Sequence, residues 1–198
     1  ERCNFVAYGK AGTLLAMFRN ALTPETFHEG RKYYLTDVNY NAGEPEDLFR
    51  GLQKAYDEDT IAGTLRIANV MSTWVYQAGY PLISVERSGA KFVFKQERYP
   101  SGNGELYSVP ITFATTQNPN FNKKTPNLWL RDESMDMSEF SVGAWGNDWI
   151  VLNVQQSGFY RVSYSANLWM TIRDGLKVNP DVIHLTNRRV LQEELNIG

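Results

Sequence analysis

The chain has 198 residues, 42% of them hydrophobic, and a formal net charge of −2. This composition is typical of a globular protein that buries a core in one large or two small domains. The near-neutral charge does not favour binding to nucleic acid or an anionic membrane, and no apolar run in the sequence is long enough to cross a bilayer. The single cysteine cannot form a disulfide within the chain, so cysteine usage does not indicate a compartment.

Apolar residues recur at helical spacing through residues 1–80 and predict four short helices, packed as a bundle or superhelix. The first covers residues 8–18, and the second begins after Thr23, an N-cap residue followed by proline. The third opens at Pro45, and the fourth runs over residues 64–77. The side chains predicted to face the core are Ala11, Leu14, Leu15, Phe18, Phe27, Gly30, Tyr34, Leu35, Leu48, Leu52, Ala55, Tyr56, Leu65, Ile67, Val70, Met71, Trp74 and Val75.

Gly79, Tyr80 and Pro81 mark the change from a helical to a strand pattern. Glycine can end a helix in the left-handed conformation, and proline cannot continue one. Because Pro81 also pushes Tyr80 toward extended geometry, a strand is predicted to follow at residues 82–85. We interpret this joint as an architectural border that sets the angle between two domains.

From Pro81 onward the apolar residues alternate and turn signals recur, which predicts an antiparallel β-sandwich. Ser88-Gly89 and the segment 102–104 are predicted hairpin turns. The strands predicted after the first cover residues 91–97, 107–115, 127–131, 140–142, 149–154 and 159–164. The last two are predicted to pair with each other through a turn at residues 155–158.

The helical period returns after Tyr164. Leu168, Trp169, Ile172 and Leu176 share one predicted face, and a second helix covers residues 186–195. A helix that exposes one apolar face is not stable alone. Together with the start of the chain close to an apolar helix, this indicates a piece of a longer protein.

Chemical motifs are sparse. The two histidines are His28 and His184, fewer than the three protein ligands of a usual catalytic zinc site. Residues 28–32 nearly match the zinc motif H-E-x-x-H, but Lys32 stands where the second histidine belongs, and a protonated lysine repels a metal. The acidic residues Asp132, Glu133, Asp136 and Glu139 are predicted to form a solvated loop or edge. The residues alone therefore predict a helical bundle plus a β-sandwich without a complete active site.

Three stretches together resemble one family, the aminopeptidase N-like zinc metalloaminopeptidases, or gluzincins. Residues 7–12, AYGKAG, resemble (S)Y-x-K-G-A, with Ala-Gly in place of the usual Gly-Ala. Residues 73–81, TWVYQAGYP, resemble TW-xx-Q-x-GYP, and residues 96–99, QERY, follow as in the family. Residues 149–164, WIVLNVQQSGFYRVSY, are similar to W-x-K-F-N-x-NQ-x-G-F/Y-YRV-x-Y. Residues 186–188 resemble the start of a segment usually written NRAQL, although Arg and Val follow here.

The resemblance implies an α+β multidomain fold. Residues 1–80 would be the C-terminal helical part of a thermolysin-like catalytic domain, residues 81–165 a β-sandwich domain and residues 166–198 the start of an α-helical domain. The family removes N-terminal residues from peptides with one zinc ion. Its zinc motif, general base and GxMEN element do not occur in this sequence, so the chain is expected to bind no zinc through its own residues and to be inactive alone.

Tyr8 is the one catalytic residue that the resemblance implies, as the hydroxyl donor that stabilises the oxyanion of the tetrahedral intermediate. Such a donor typically lowers the barrier by about 3–4 kcal/mol. The alternative is that Tyr8 only caps or packs the start of its helix. Without the resemblance the residues would favour that structural role.

Two function classes stay open on the sequence. The chain is either part of a zinc metalloaminopeptidase acting on peptides or a non-catalytic binding or spacer module. The expected partners are peptide substrate and the missing upstream domains, with no nucleic acid and no membrane-spanning segment. The resemblance implies an extracellular or cell-surface location, with a cytoplasmic one as the alternative.

Overall fold

The computed structural model describes residues 2–59, 64–89, 91–100, 104–137 and 148–195. Helices come first, strands follow and helices return, which confirms the predicted α+β class and its order. The chain divides into two compact units, Glu1–Ala78 and Gly79–Gly198. None of the described helices is long and apolar enough to cross a membrane. The predicted strand at 140–142, Glu139, and the first two residues of the predicted turn at 102–104 lie outside the described residues.

The described part of the first unit contains four helices, as predicted: α1 (Arg2–Ala21), α2 (Pro24–Val38), α3 (Pro45–Glu58) and α4 (Ile67–Val75). Thr23 caps α2, because its Oγ1 accepts a hydrogen bond from the backbone N–H of Thr26 at 3.3 Å. The Thr26 hydroxyl in turn donates to Asp59 Oδ2 at 2.7 Å, so the start of α2 is fastened to the residue that follows α3.

Helices α2 and α3 touch through glycine. A Cβ atom on Gly30 would lie 2.8 Å from the Cα atom of Leu52, and one on Gly51 would lie 2.6 Å from the carbonyl oxygen of Gly30. No side chain fits at either position without moving backbone. The sequence therefore determines how closely these two helices approach.

The core of the first unit matches most of the predicted inner faces. Leu14, Phe18, Phe27, Gly30, Leu52, Ala55, Leu65, Ile67, Val70, Met71 and Trp74 are buried, and Tyr34, Leu48 and Tyr56 are half-buried. The prediction was wrong for Ala11, Leu15, Leu35 and Val75, which are exposed. Met17 and Phe49 are buried instead. In α1 the buried face includes Met17 in place of Leu15, so the helix is rotated about its axis relative to the prediction. An apolar pattern this short does not determine that rotation.

Among the described residues of the second unit, four strands form the main sheet in the order β6-β2-β1-β8. The strands are β1 (Tyr80–Ser88), β2 (Lys91–Tyr99), β6 (Ser134–Met137) and β8 (Arg161–Tyr164). The first two form the hairpin predicted at Ser88-Gly89, whereas β8 runs parallel to β1. Asp132 and Glu133 are exposed and lead into β6, the outer strand of the described sheet, in agreement with the predicted solvated loop or edge.

Two shorter ladders complete the described strands. One pairs β3 (Val109–Ile111) with β5 (Leu128–Leu130), and the other pairs β4 (Phe113–Thr115) with β7 (Ile150–Leu152). The predicted strand at 107–115 is therefore interrupted at Thr112. The predicted pairing of 149–154 with 159–164 was wrong, because β7 pairs with β4 and β8 pairs with β1.

A left-handed turn after β7 explains why these two segments do not form a hairpin. Asn153, Gln155 and Gln156 all have positive φ, at 55°, 51° and 55°. The Asn153 amide holds the turn: its Nδ2 donates to the carbonyl oxygens of Gly158 and Tyr160, both at 3.0 Å, and its Oδ1 accepts from the Gly158 N–H at 2.8 Å. The chain is thereby directed away from β7 and toward β1.

Two helices, α5 (Ala166–Val178) and α6 (Leu185–Leu195), follow β8. Leu168 and Ile172 are buried as predicted for α5. Asn187 joins α6 to the left-handed turn: its Oδ1 accepts from the Gln155 N–H at 2.8 Å, and its Nδ2 donates to the Asn153 carbonyl oxygen at 2.9 Å. One buried side chain thus fixes the start of α6 against the end of β7.

The helix-to-strand joint differs in detail from its prediction. Helix α4 ends at Val75, so Gly79 is not its cap, and β1 already begins at Tyr80. Gly79 nevertheless has φ +84°, and a Cβ atom there would lie 2.5 Å from the carbonyl oxygen of Tyr99. The glycine is needed for a close approach at the start of the β1–β2 hairpin.

Gly79→Ala is expected to lower the free energy of unfolding by about 2–4 kcal/mol, from left-handed strain plus the clash with the Tyr99 carbonyl. Gly89→Ala is the matched control, because Gly89 has φ +61° but open space around it, and strain alone costs about 1 kcal/mol. Urea unfolding of both variants measures the difference. Equal losses would contradict the close-approach explanation.

Tyr160 should make stability depend on alkaline pH. Burial raises the pKa of its hydroxyl from 10.0 to about 12. Above pH 10 the unfolded state ionises while the folded state keeps its proton, so the free energy of unfolding falls as pH rises, by up to about 3 kcal/mol across this window. Tyr160→Phe removes this contribution. Urea titrations of both proteins should converge between about pH 9 and about pH 11.5, and parallel curves would refute the assignment.

Candidate active-site segment and its relatives

Tyr8 lies in the N-terminal half of α1 and is 77% exposed. The buried residues of this helix whose side chains are described, Leu14, Met17 and Phe18, all follow it. Among the described residues the Tyr8 hydroxyl makes no hydrogen bond, so no contact described here supports a capping role. Its side chain is presented outward from the first unit.

Lys10 fastens this half of the helix. Its Nζ donates to the backbone carbonyl oxygen of Gln77 at 2.6 Å, and the lysine side chain is half-buried. Gln77 follows α4, and its own Nε2 donates to the Thr73 carbonyl oxygen at 2.6 Å. This bond therefore joins the two sequence motifs of the first unit, residues 7–12 and residues 73–81.

The spacing of Tyr8 and Lys10 explains their different surroundings. Two residues along an α-helix are separated by about 200° around its axis. Because Lys10 points toward Gln77, Tyr8 points to nearly the opposite side. The arrangement holds the helix from one face and leaves the tyrosine hydroxyl available on the other.

The residues of the near-motif at His28 do not fit a zinc ion. His28 Nδ1 lies 2.9 Å from Arg31 Nη2, and Lys32 Nζ pairs with Glu29 Oε1 at 2.7 Å. The Lys32 hydrogen bond lowers the pKa of Glu29. The cationic side chains of Arg31 and Lys32 thus lie against the His28 nitrogen and the Glu29 oxygen that would have to bind the metal. In the described ranges no three His, Cys, Asp or Glu residues come together as a metal site.

The second histidine has a structural position. The Thr186 N–H donates to His184 Nδ1 at 3.2 Å, at the start of α6. The side chain of Cys3 lies outside the described side chains. Neither residue joins Tyr8 in a described site.

Gln96, in the QERY stretch, is a buried polar residue with a structural role. It is 4% exposed, its Nε2 donates to the carbonyl oxygens of Tyr107 and Asp132 at 3.0 Å, and its Oε1 accepts from the Tyr107 N–H at 3.0 Å. The sequence signal that could have indicated this role is a glutamine at an inward-facing position of an alternating strand. The residue fastens β2 to the segments that precede β3 and β6.

Comparison with known proteins agrees with the motifs. The family model described as Peptidase family M1 domain matches residues 3–74. Aminopeptidase N of Plutella xylostella is 30% identical over 98% of this chain and 22% of its own length. Aminopeptidase N of Rattus norvegicus is 29% identical over 100% of this chain and 21% of its own length. Membrane alanyl aminopeptidase of Manduca sexta is 29% identical over 96% of this chain and 20% of its own length.

The three relatives match nearly the whole chain, and the family model matches its first part. The chain belongs to peptidase family M1, among its aminopeptidase N-like members. It spans about a fifth of the length of these curated relatives.

Stability measurements should separate the roles of Tyr8 and Lys10. Tyr8→Phe is expected to change the free energy of unfolding of this chain by less than about 0.5 kcal/mol, because an exposed, unbonded hydroxyl is lost. Lys10→Met keeps the stem but loses the bond to Gln77, and should cost about 1 kcal/mol. Denaturant unfolding of the two variants provides the test. A larger loss for Tyr8→Phe would support the capping role instead.

Proposed function

We propose that this chain is part of a zinc-dependent aminopeptidase that removes N-terminal residues from peptides. Its membership of peptidase family M1 supports the reaction class. The observation that carries the proposal is the 2.6 Å bond from Lys10 to the Gln77 carbonyl oxygen, which joins two family motifs and leaves Tyr8 77% exposed. A tyrosine held in this way is available to a substrate.

The proposed role of Tyr8 is electrostatic. When a water-derived nucleophile adds to a peptide carbonyl, negative charge develops on the carbonyl oxygen. A hydroxyl donor fixed beside that oxygen stabilises the charge more in the transition state than in the ground state. The described donors of this chain do not fit zinc, so the proposal places the metal, the general base and the remaining substrate contacts on residues outside it.

We further propose the family's domain division for the chain. Residues 1–80 would end the catalytic domain, residues 81–165 would form the β-sandwich, and residues 166–198 would begin the helical domain. The border between the two compact units, at Ala78 and Gly79, supports the first division. An extracellular or cell-surface location is proposed on the name of the Manduca sexta relative, membrane alanyl aminopeptidase.

The proposal predicts opposite results for the isolated chain and the longer enzyme. The chain alone, with zinc and an aminoacyl chromogenic substrate, should show no turnover. In the longer enzyme, Tyr8→Phe should lower kcat by about 10²–10³-fold through loss of one oxyanion donor. Tyr40→Phe is the matched control, because Tyr40 is fully exposed at the end of α2, and should leave kcat unchanged.

Two outcomes would contradict the proposal. Turnover by the isolated chain that Tyr8→Phe abolishes would show that the chain is catalytically complete. An intact mass of the natural protein close to that of this chain would favour the binding or spacer module. A much longer protein that carries H-E-x-x-H upstream supports the aminopeptidase.

A further inference from the structure

We propose that Lys10 is a positioning residue for Tyr8: its bond to the Gln77 carbonyl oxygen sets the rotation of α1 and thereby the place of the tyrosine hydroxyl. The inference rests on the proposed function of Tyr8. It adds a residue that acts on the reaction through another, without touching the substrate.

The first observation is where α1 is held. Its described buried side chains, Leu14, Met17 and Phe18, begin six residues after Tyr8, which is more than one and a half helical turns away. The hydrogen bond of Lys10 supplies a fixed point two residues from Tyr8.

The second observation is the nature of the acceptor. Lys10 binds a backbone carbonyl oxygen and not a side chain. That carbonyl lies in the segment just after α4, whose core residues Val70, Met71 and Trp74 are each no more than 2% exposed. The Gln77 side chain also folds back onto the Thr73 carbonyl oxygen at 2.6 Å. The acceptor therefore belongs to a well-anchored part of the unit.

A change at Lys10 is therefore transmitted through the helix backbone to Tyr8. A helix residue moves with its backbone, and Tyr8 and Lys10 lie on nearly opposite faces. If the lysine bond is lost, rotation or fraying of the first turns displaces the hydroxyl on the far side. A displacement of about 1 Å at a catalytic group can cost about 10²-fold in rate.

The test is a double-mutant cycle in the longer enzyme with an aminoacyl chromogenic substrate. Lys10→Met should lower kcat by about 10- to 100-fold with KM changed by less than about twofold, since positioning of a transition-state donor is lost. In the Tyr8→Phe background, Lys10→Met should have no further effect, because its effect passes through the hydroxyl. Lys32→Met, which breaks only the exposed pair with Glu29, is the matched control and should keep wild-type kcat.

Lys10→Arg keeps a charged donor and should restore most of kcat, which a general packing role would not require. If Lys10→Met does not fold, Lys10→Gln, whose shorter neutral side chain keeps a donor but cannot reach as far, takes its place in the same cycle, and the loss of kcat that it causes must vanish in the Tyr8→Phe background. Unchanged kcat for Lys10→Met, or losses that multiply in the double variant, would overturn the inference while Tyr8 keeps its role. Unchanged kcat for Tyr8→Phe alone would instead refute the proposed function.

Discussion

One charge-assisted hydrogen bond joins the two ends of the first unit's sequence and fixes the helix that carries Tyr8. Lys10 and Gln77 are at opposite ends of the unit, and the ammonium-to-carbonyl bond between them closes it. The helices in between have their own connections, such as the glycine contact of α2 with α3 and the Thr26 bond to Asp59. Among the described side chains of α1, Lys10 is the anchor nearest to Tyr8, whereas the buried Leu14, Met17 and Phe18 lie further along the helix.

In the second unit, uncharged side-chain amides bind backbone groups in the way that the charged Lys10 does in the first unit. Asn153 and Asn187 satisfy backbone groups that no strand partner reaches, at a turn where three residues with side chains have positive φ. Such a conformation costs about 1–2 kcal/mol per residue and persists only where its surroundings hold it. Buried amides therefore stabilise a backbone path that apolar packing alone would not select.

The sequence predicted the number and order of the first four helices, the β1–β2 hairpin and the family, because each depends on local patterns or on contiguous motifs. It did not predict that Leu15 is exposed while Met17 is buried: the two lie about 200° apart on the helix, both are apolar, and the short pattern does not decide between their faces. The paired strands predicted around the turn at Asn153 were wrong, because asparagine is enriched in left-handed backbone but the glutamines that share this conformation are not. Tyr8 could be identified only by resemblance.

The position of Lys10 shows why part of the candidate site escaped prediction. Its acceptor is a backbone carbonyl oxygen, which every residue possesses, so no residue type marks the partner. The two ends of the bond are 67 positions apart in the sequence. Long-range contacts to the main chain leave no signal in a single sequence, whereas short motifs and periodic faces do.

The parallel pairing of β8 with β1 has a consequence for synthesis of the protein on the ribosome. Leu82 pairs with Arg161, so β1 must wait for about 80 further residues to be translated before its second neighbour exists. The open edge of the β1–β2 hairpin therefore lacks its partner strand until β8 has been translated, and that edge is where a chaperone would be most needed.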